Sequence, residues 1–427
     1  MIIRFQKALE NAIELVKQHY ADLGGLPVLL VRDLYGRIRI ALPIEAPTDE
    51  TTQPDDFAAL FRQALGHFSY QSVFLYRDEL FDSDALFNSR DKITISKTPH
   101  IDLLDRQITG QDWLRQPIAS QTGIQRVTLF GIKGGVGRST ALAVWAWYLA
   151  QQGKRVLILD LDLESPGIGQ TLLPESNAPD FGIIDWLVEE AVEQADESLL
   201  REMVGTSPLV SSAIGDIRIV PASGIQEKDY IAKLSRAYME LSGADFAERL
   251  SRLLQALEKQ EKPDIVLLDS RAGMHDIAAI TITRLNAYAL LFALNTPQTW
   301  RAYRLLFQHW QKYPPNLALF RDNLKIVAGM VPEIDRAHYL ESCRESAYNL
   351  FMDTLYDKTS NEVEEAFNFD EKAIDAPHYP LKFYWHRAFQ EFDPVSNNEV
   401  FNENAVLEAY GTFLKEITNL VLGNKLA

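Results

Sequence analysis

One cysteine, Cys343, occurs among 427 residues. A lone thiol excludes an intrachain disulfide and a cysteine cage around a metal. Apolar runs long enough to cross a bilayer are missing too: the best stretch, 287–294, suits a buried strand. The opening Met1-Ile2-Ile3-Arg4-Phe5-Gln6-Lys7 has no basic stretch feeding a continuous apolar run, so it does not read as a secretory signal. Cytoplasm is the expected compartment. Positive charge is scarce: 42 Lys and Arg stand against 59 Asp and Glu, a formal charge of −17. Such a surface repels phosphate backbones and anionic lipid, which argues against direct DNA binding and membrane binding. No internal repeat or low-complexity tract is evident. What remains, 47% hydrophobic and 24% charged residues at this length, predicts a globular protein of two domains with sizeable cores.

Residues 1–118 read as a small α+β module. Phe5, Leu9, Ile13, Val16 and Tyr20 mark one face of an opening helix. Two apolar runs, 26–31 and 37–42, flank Tyr35-Gly36 as a β-hairpin. A polar segment, 45–56, leads to a helix over 57–68 and a strand over 72–76. Asp82, Asp84 and His100 are too irregularly spaced for ligands and read as solvated surface. No catalytic motif is found, which leaves regulation, partner binding or dimer support. Residues 103–122 are the expected connector.

Residues 119–427 form the second domain. From Arg126 strands alternate with helices, the signature of an α/β doubly wound, mostly parallel sheet. Candidate strands are 126–132, 155–161, 217–220, 264–268, 287–294 and 324–331, with helices over 139–151, 246–259 and 299–310. The final helix, 405–422, carries Leu407, Tyr410, Phe413, Ile417 and Val421 at helical spacing with little positive charge, and reads as core-packing.

The chemistry concentrates at Lys133-Gly134-Gly135-Val136-Gly137-Arg138-Ser139-Thr140, between the first of these strands and its helix. Gly134, Gly135 and Gly137 permit backbone conformations that side chains forbid, so the amides of the loop can surround an anion at the positive end of a helix. Ser139 stands where a P-loop hydroxyl meets magnesium. Two positions depart from the common pattern: Ile132 replaces the first glycine, and Arg138 replaces the lysine. A guanidinium binds phosphate as a fork, not as a point charge. Further on, alternation puts Asp160 and Asp162 on one side at the carboxyl end of strand 155–161. Strand 264–268 ends in Asp269-Ser270-Arg271-Ala272-Gly273.

With its lysine at the start of the loop, the chain resembles the MinD/ParA family of P-loop ATPases, in the branch whose loop reads Lys-Gly-Gly-Val-Gly-Arg-Ser/Thr. The resemblance spans roughly residues 124–422 and implies ATP and Mg2+ as cofactors. By it Lys133 reaches across a nucleotide sandwich dimer, Asp162 orients or activates the attacking water, and Asp160 supports the magnesium shell. Asp269 holds a magnesium-bound water, and the Gly273 amide senses the γ-phosphate. Arg271 stands where the family has proline. Asn295, in Leu294-Asn295-Thr296-Pro297, reads as a turn residue in preference to a base contact, and the asparagine that relatives offer adenine near 328–332 is absent. The implied function is an ATP-hydrolysing switch that dimerises on ATP and controls a protein partner. Two alternatives stand beside it: a nucleotide-sensing scaffold with little turnover, which Arg138 favours, and ParA-like DNA partitioning.

Overall fold

The computed structural model describes residues 2–47, 55–210, 214–225, 228–239, 244–358, 366–395 and 402–423. The chain divides into two compact units, Met1–Gln111 and Asp112–Ala427. The division precedes residue 118 because Trp113 folds with the second unit, its buried ring packing on Phe130 and Trp310.

In the first unit β1 (Val28–Arg32) and β2 (Ile38–Ala41) pair antiparallel, Leu30 opposite Ile40, about a turn in which Gly36 has φ +83°. β3 (Ser69–Leu75) joins β2 in parallel. A second hairpin was not expected: β4 (Lys92–Lys97) and β5 (His100–Asp105), with β5 inserted in parallel beside β1. The order is β3-β2-β1-β5-β4, so part of the expected connector is an inner strand. Helices Phe5–Gln18 and Asp55–Leu65 cover one face. The first helix buries Ala8, Ala12 and Val16, while Phe5 is half exposed under the Arg32 guanidinium. Asp82 caps a short helix through the Ala85 amide, Asp84 pairs with Arg77, and His100 contacts Asp102. Part of the polar segment 45–56 lies outside the described residues.

The second unit is an eight-stranded sheet ordered β13-β12-β11-β6-β10-β7-β9-β8. Its strands are β6 (Gln125–Gly131), β7 (Arg155–Leu161), β8 (Gly205–Thr206), β9 (Asp216–Val220), β10 (Ile265–Ser270), β11 (Tyr288–Ala293), β12 (Leu324–Val331) and β13 (Leu381–Tyr384). All pairs are parallel except β8 with β9. Inner strands such as β7 and β10 are continuous apolar runs because helices bury both faces. The six expected strands are present; β8 and β13 were not anticipated. β6 lies between β10 and β11, where the winding reverses, and open α/β sheets bind ligands at that crevice.

The helix after β6, Arg138–Gln151, is buried nearly all round, from Ala141 to Ala146 and at Leu149 and Ala150. Its Trp145 indole N–H donates to Thr418 Oγ1 of the final helix, Glu403–Leu422, at 3.1 Å. That final helix buries Tyr410, Phe413 and Ile417 as expected, with Val421 packed beside them, but Val406 takes the core position in place of Leu407, which is 58% exposed. Among the described residues no helix is long and apolar enough to cross a membrane.

Phe413→Ala should lower unfolding free energy by about 3–5 kcal/mol in urea titration, whereas Leu407→Ala should stay within roughly 0.5 kcal/mol. Equal losses would contradict this packing.

Candidate functional site

The phosphate loop leaves β6 at Gly131, where a Cβ would approach the Lys133 carbonyl to 2.8 Å. Tyr303 steadies the entry: its hydroxyl donates to Phe292 O at 2.8 Å and accepts from the Ile132 amide at 3.4 Å. Lys133, Gly134 and Gly135 are exposed, while Val136 is plugged into the core. Gly135 and Gly137 take φ +72° and +80°. A Cβ on Gly137 would meet Phe383 at 3.0 Å, whereas at Gly134 and Gly135 nothing lies within 4 Å. The turn is thus close-packed beneath and open above. That is the shape of an anion cradle at the start of a helix.

Arg138 and Ser139 open that helix, and both turn onto β10. Arg138 Nε donates to Asp269 Oδ1 at 2.8 Å, and Ser139 Oγ donates to Asp269 Oδ2 at 3.0 Å. The second arm of the guanidinium stands 3.5 Å from Asp162 Oδ2. Phosphate is the expected partner of Arg138; in this structure its guanidinium bridges the carboxylates of Asp269 and Asp162. Thr140 lies on the first turn, half-buried.

Asp160 and Asp269 are opposite one another in the β7–β10 register. Asp160 is buried and accepts the amides of Gly167 at 3.1 Å and of Asp162 and Gly169 at 3.3 Å each. Its carboxylate therefore braces the loop after β7 and is not joined to Ser139. Burial, and secondarily Asp269, pushes its carboxyl up to about 7. Burial likewise raises Asp162, opposed by Arg138, and its Oδ1 is buried with no hydrogen-bond partner among the described residues. Gly273, at φ +85° with open space where a Cβ would be, donates its amide to Gly131 O at 3.0 Å. Lys133, Asp162 and Gly273 thus lie on the loops that follow β6, β7 and β10, with Asp269 near the carboxyl end of β10 itself.

Asn295 is consumed internally. It accepts from Trp300 Nε1 at 2.8 Å and donates to Ser342 Oγ at 3.1 Å and, through its amide, to Tyr339 at 2.8 Å. A feature that sequence reasoning missed lies on the other side of the loop. Gly137 and Thr140 line a cavity of about 190 Å³ with Met330, Trp385, His386 and Phe389. Its floor is the stacked pair Phe383 and Tyr410, with centroids 4.9 Å apart. The aromatic run Phe383-Tyr384-Trp385 was the available signal.

No group of three or more His, Cys, Asp or Glu side chains able to hold a metal occurs among the described residues. A magnesium ion uses few protein carboxylates and completes its shell with phosphate oxygens and water. Ser139, Asp269 and the orphaned Asp162 oxygen fit that donor set.

The profile of the CobQ/CobB/MinD/ParA nucleotide binding domain matches residues 127–287. The iron-sulfur cluster carrier protein of Pseudomonas fragi is 34% identical over 210 residues, 47% of this chain and 67% of that protein. The chain belongs to the MinD/ParA family of P-loop nucleotide-binding proteins. The antiactivator FleN of Pseudomonas aeruginosa is 26% identical over 181 residues, 42% of this chain. The chain spans about half of FleN's length, 54%. The solved structure of pNOB8 ParA overlays with a TM-score of 0.45 at 18% identity, covering 70% of this chain and 98% of that one. In this MinD/ParA chain the doubly wound sheet described above carries the nucleotide-binding signature at its reversal point.

Asp160 also sets a pH dependence. An ordinary carboxyl near 3.8 is raised to about 7 on folding, so the folded state holds an extra proton between those values. Its contribution to stability is full below pH 4 and is lost as pH rises through 7. Without nucleotide or metal, Tm should fall from pH 5 to 8 by calorimetry, and Asp160→Asn should flatten that slope. An unchanged slope would remove Asp160 as its source.

Proposed function

We propose that this protein is a Mg2+-dependent ATPase switch that assembles as a homodimer on ATP and governs a protein partner. The observation carrying this reading is the open glycine cradle set beside the Ser139–Asp269 contact, with an unpartnered Asp162 oxygen at its edge. The amides of Gly134 to Thr140 would hold the phosphates. Bound magnesium would neutralise charge on the β- and γ-phosphates, with Ser139 and Asp269 as its protein side. Asp160 would keep the loop carrying Asp162 in place, and Asp162 would orient water for in-line attack. The Gly273 amide would exchange the Gly131 carbonyl for a γ-phosphate oxygen, drawing its loop inward. Arg138 would leave its carboxylates for phosphate. Lys133, exposed and in no ion pair among the described residues, suits a role across a dimer.

A second reading, a nucleotide-sensing scaffold with little turnover, is favoured by one observation: Arg138 already neutralises Asp269 and Asp162. We place regulation or partner binding in the first unit. Cluster carriage of the kind the P. fragi relative is named for finds no support in the thiols: Cys343 is buried, and its thiol is pushed up to about 12.

Light scattering with phosphate release tests the switch. Wild type should dimerise with ATP and magnesium and turn over. Lys133→Ala should remain monomeric, and Asp162→Ala should bind ATP and stay dimeric while turnover falls by about a hundredfold or more. A wild type that binds ATP without assembly or turnover would sink the switch and leave the scaffold.

We further assign the aromatic cavity to the nucleobase, since a base presents a π-face for Trp385 and polar edges for His386 and Gln390. Trp385→Ala should weaken ATP by about tenfold, on the scale of one lost base–aromatic stack, while leaving inorganic triphosphate binding unchanged by calorimetry. Equal weakening of both would move the base elsewhere.

A further inference from the structure

Glu164 lies two residues beyond Asp162 and is surrounded by donors from two other segments. Arg271 forms a close ion pair with it, the guanidinium meeting Oε2. The Tyr238 hydroxyl donates to Oε1 at 2.5 Å. His275 Nε2 stands 3.3 Å from that same oxygen. The tautomer follows from the other ring nitrogen, because Nδ1 of His275 accepts the Ile277 amide and so leaves the proton on Nε2. Tyr230 adds a second tie, its hydroxyl donating to Leu163 O at 2.6 Å. One carboxylate therefore gathers an arginine and a histidine from the loop after β10 and a tyrosine that follows the helix Tyr230–Ala237.

The positions in sequence matter. Glu164 is in the loop that carries Asp162, and Arg271 lies midway between Asp269 and Gly273. An ion pair between these loops opposes their moving independently. Its members are only partly exposed, at 23% and 31%, so solvent screens the pair incompletely. Arg271 also acts electrostatically on Asp162, opposing the effect of burial there.

We infer that Glu164 and Arg271 are positioning residues for hydrolysis: their ion pair fixes the loop of Asp162 against the loop of Gly273, so that the water-orienting carboxylate and the phosphate-sensing amide move as one body. This rests on the proposed ATPase reading for its kinetic consequence, but the mechanical coupling exists without nucleotide. Neither residue touches the reacting atoms. Their effect is on the relative placement of two groups that do, and small misplacements at a reacting centre are costly in rate.

The test uses the full chain and the variants Glu164→Gln, Arg271→Gln, the double variant and Arg271→Lys. Amide hydrogen exchange is followed in both loops without nucleotide, and ATP affinity and kcat are measured with magnesium. Each single Gln variant should speed exchange in both loops, not just its own, and lower kcat by about tenfold or more with ATP affinity kept. The double variant should be no worse than the worse single, and Arg271→Lys should recover part of kcat. Loosening confined to the mutated loop, effects that multiply in the double variant, or affinity and kcat falling together would overturn the inference. If wild type binds ATP without turning it over, the hydrolytic reading fails by itself, and exchange across the two loops still decides whether the pair couples them.

Discussion

The site depends on one carboxylate. Asp269 receives Arg138 on one oxygen and Ser139 on the other, fixing the start of the P-loop helix to the tip of β10. β10 lies between β6, which delivers the phosphate loop, and β7, which delivers Asp160 and Asp162. The central strand therefore carries the charge against which both neighbours are arranged. Three acids meet here with one guanidinium in contact, and burial raises Asp160 and Asp162. Buried negative charge in excess of its counter-charge must be protonated, hydrogen-bonded or met by a cation. Asp160 takes three backbone amides. Asp162 keeps an oxygen without a hydrogen-bond partner among the described residues, and that residual demand suits a cation.

Rigid placement comes from what lies underneath. Beyond its polar first turn the P-loop helix is buried nearly all round because the sheet covers one flank and the final helix the other, with Trp145 and Thr418 joined at the seam. Such a helix cannot rotate without opening a well-packed core. Movement is left to loops whose contacts are polar and exchangeable: the Gly273 amide on a carbonyl and Arg138 on carboxylates. A ligand that offers better oxygens to both can shift them at small cost to the fold.

The sequence made the phosphate loop and the acids legible because both are local: glycines at required spacings, and alternation at a strand end that places 160 and 162 together. The strand over 155–161 coincides with β7 throughout. Short elements were not legible. β8 has two residues and β13 four, too few for periodicity to separate from chance. β5 escaped notice because Ile101-Asp102-Leu103-Leu104 carries a charged residue within an inner strand. Asp102 is accommodated there by Thr94 and His100, partners distant in no sense but known only after pairing. In the final helix Leu407 is the larger residue but Val406 the buried one, since β13 decides the face. The aromatic cavity is assembled from β6, β12 and β13 neighbours, so it could not be seen without the missed strand.

Arg138 shows where residue identity stops short of mechanism. At that position a lysine would offer one point charge and meet one carboxylate at a time. The planar fork of arginine reaches Asp269 with Nε and approaches Asp162 with its other arm, so one side chain spans both carboxylates. The same fork suits phosphate oxygens equally well. In the proposed switch, affinity for nucleotide then contains the difference between two similar ionic partners. Phosphate would gain the guanidinium as a cation took over the carboxylates it leaves. Under that proposal nucleotide and cation binding would be coupled through one side chain, each releasing the charge that the other needs.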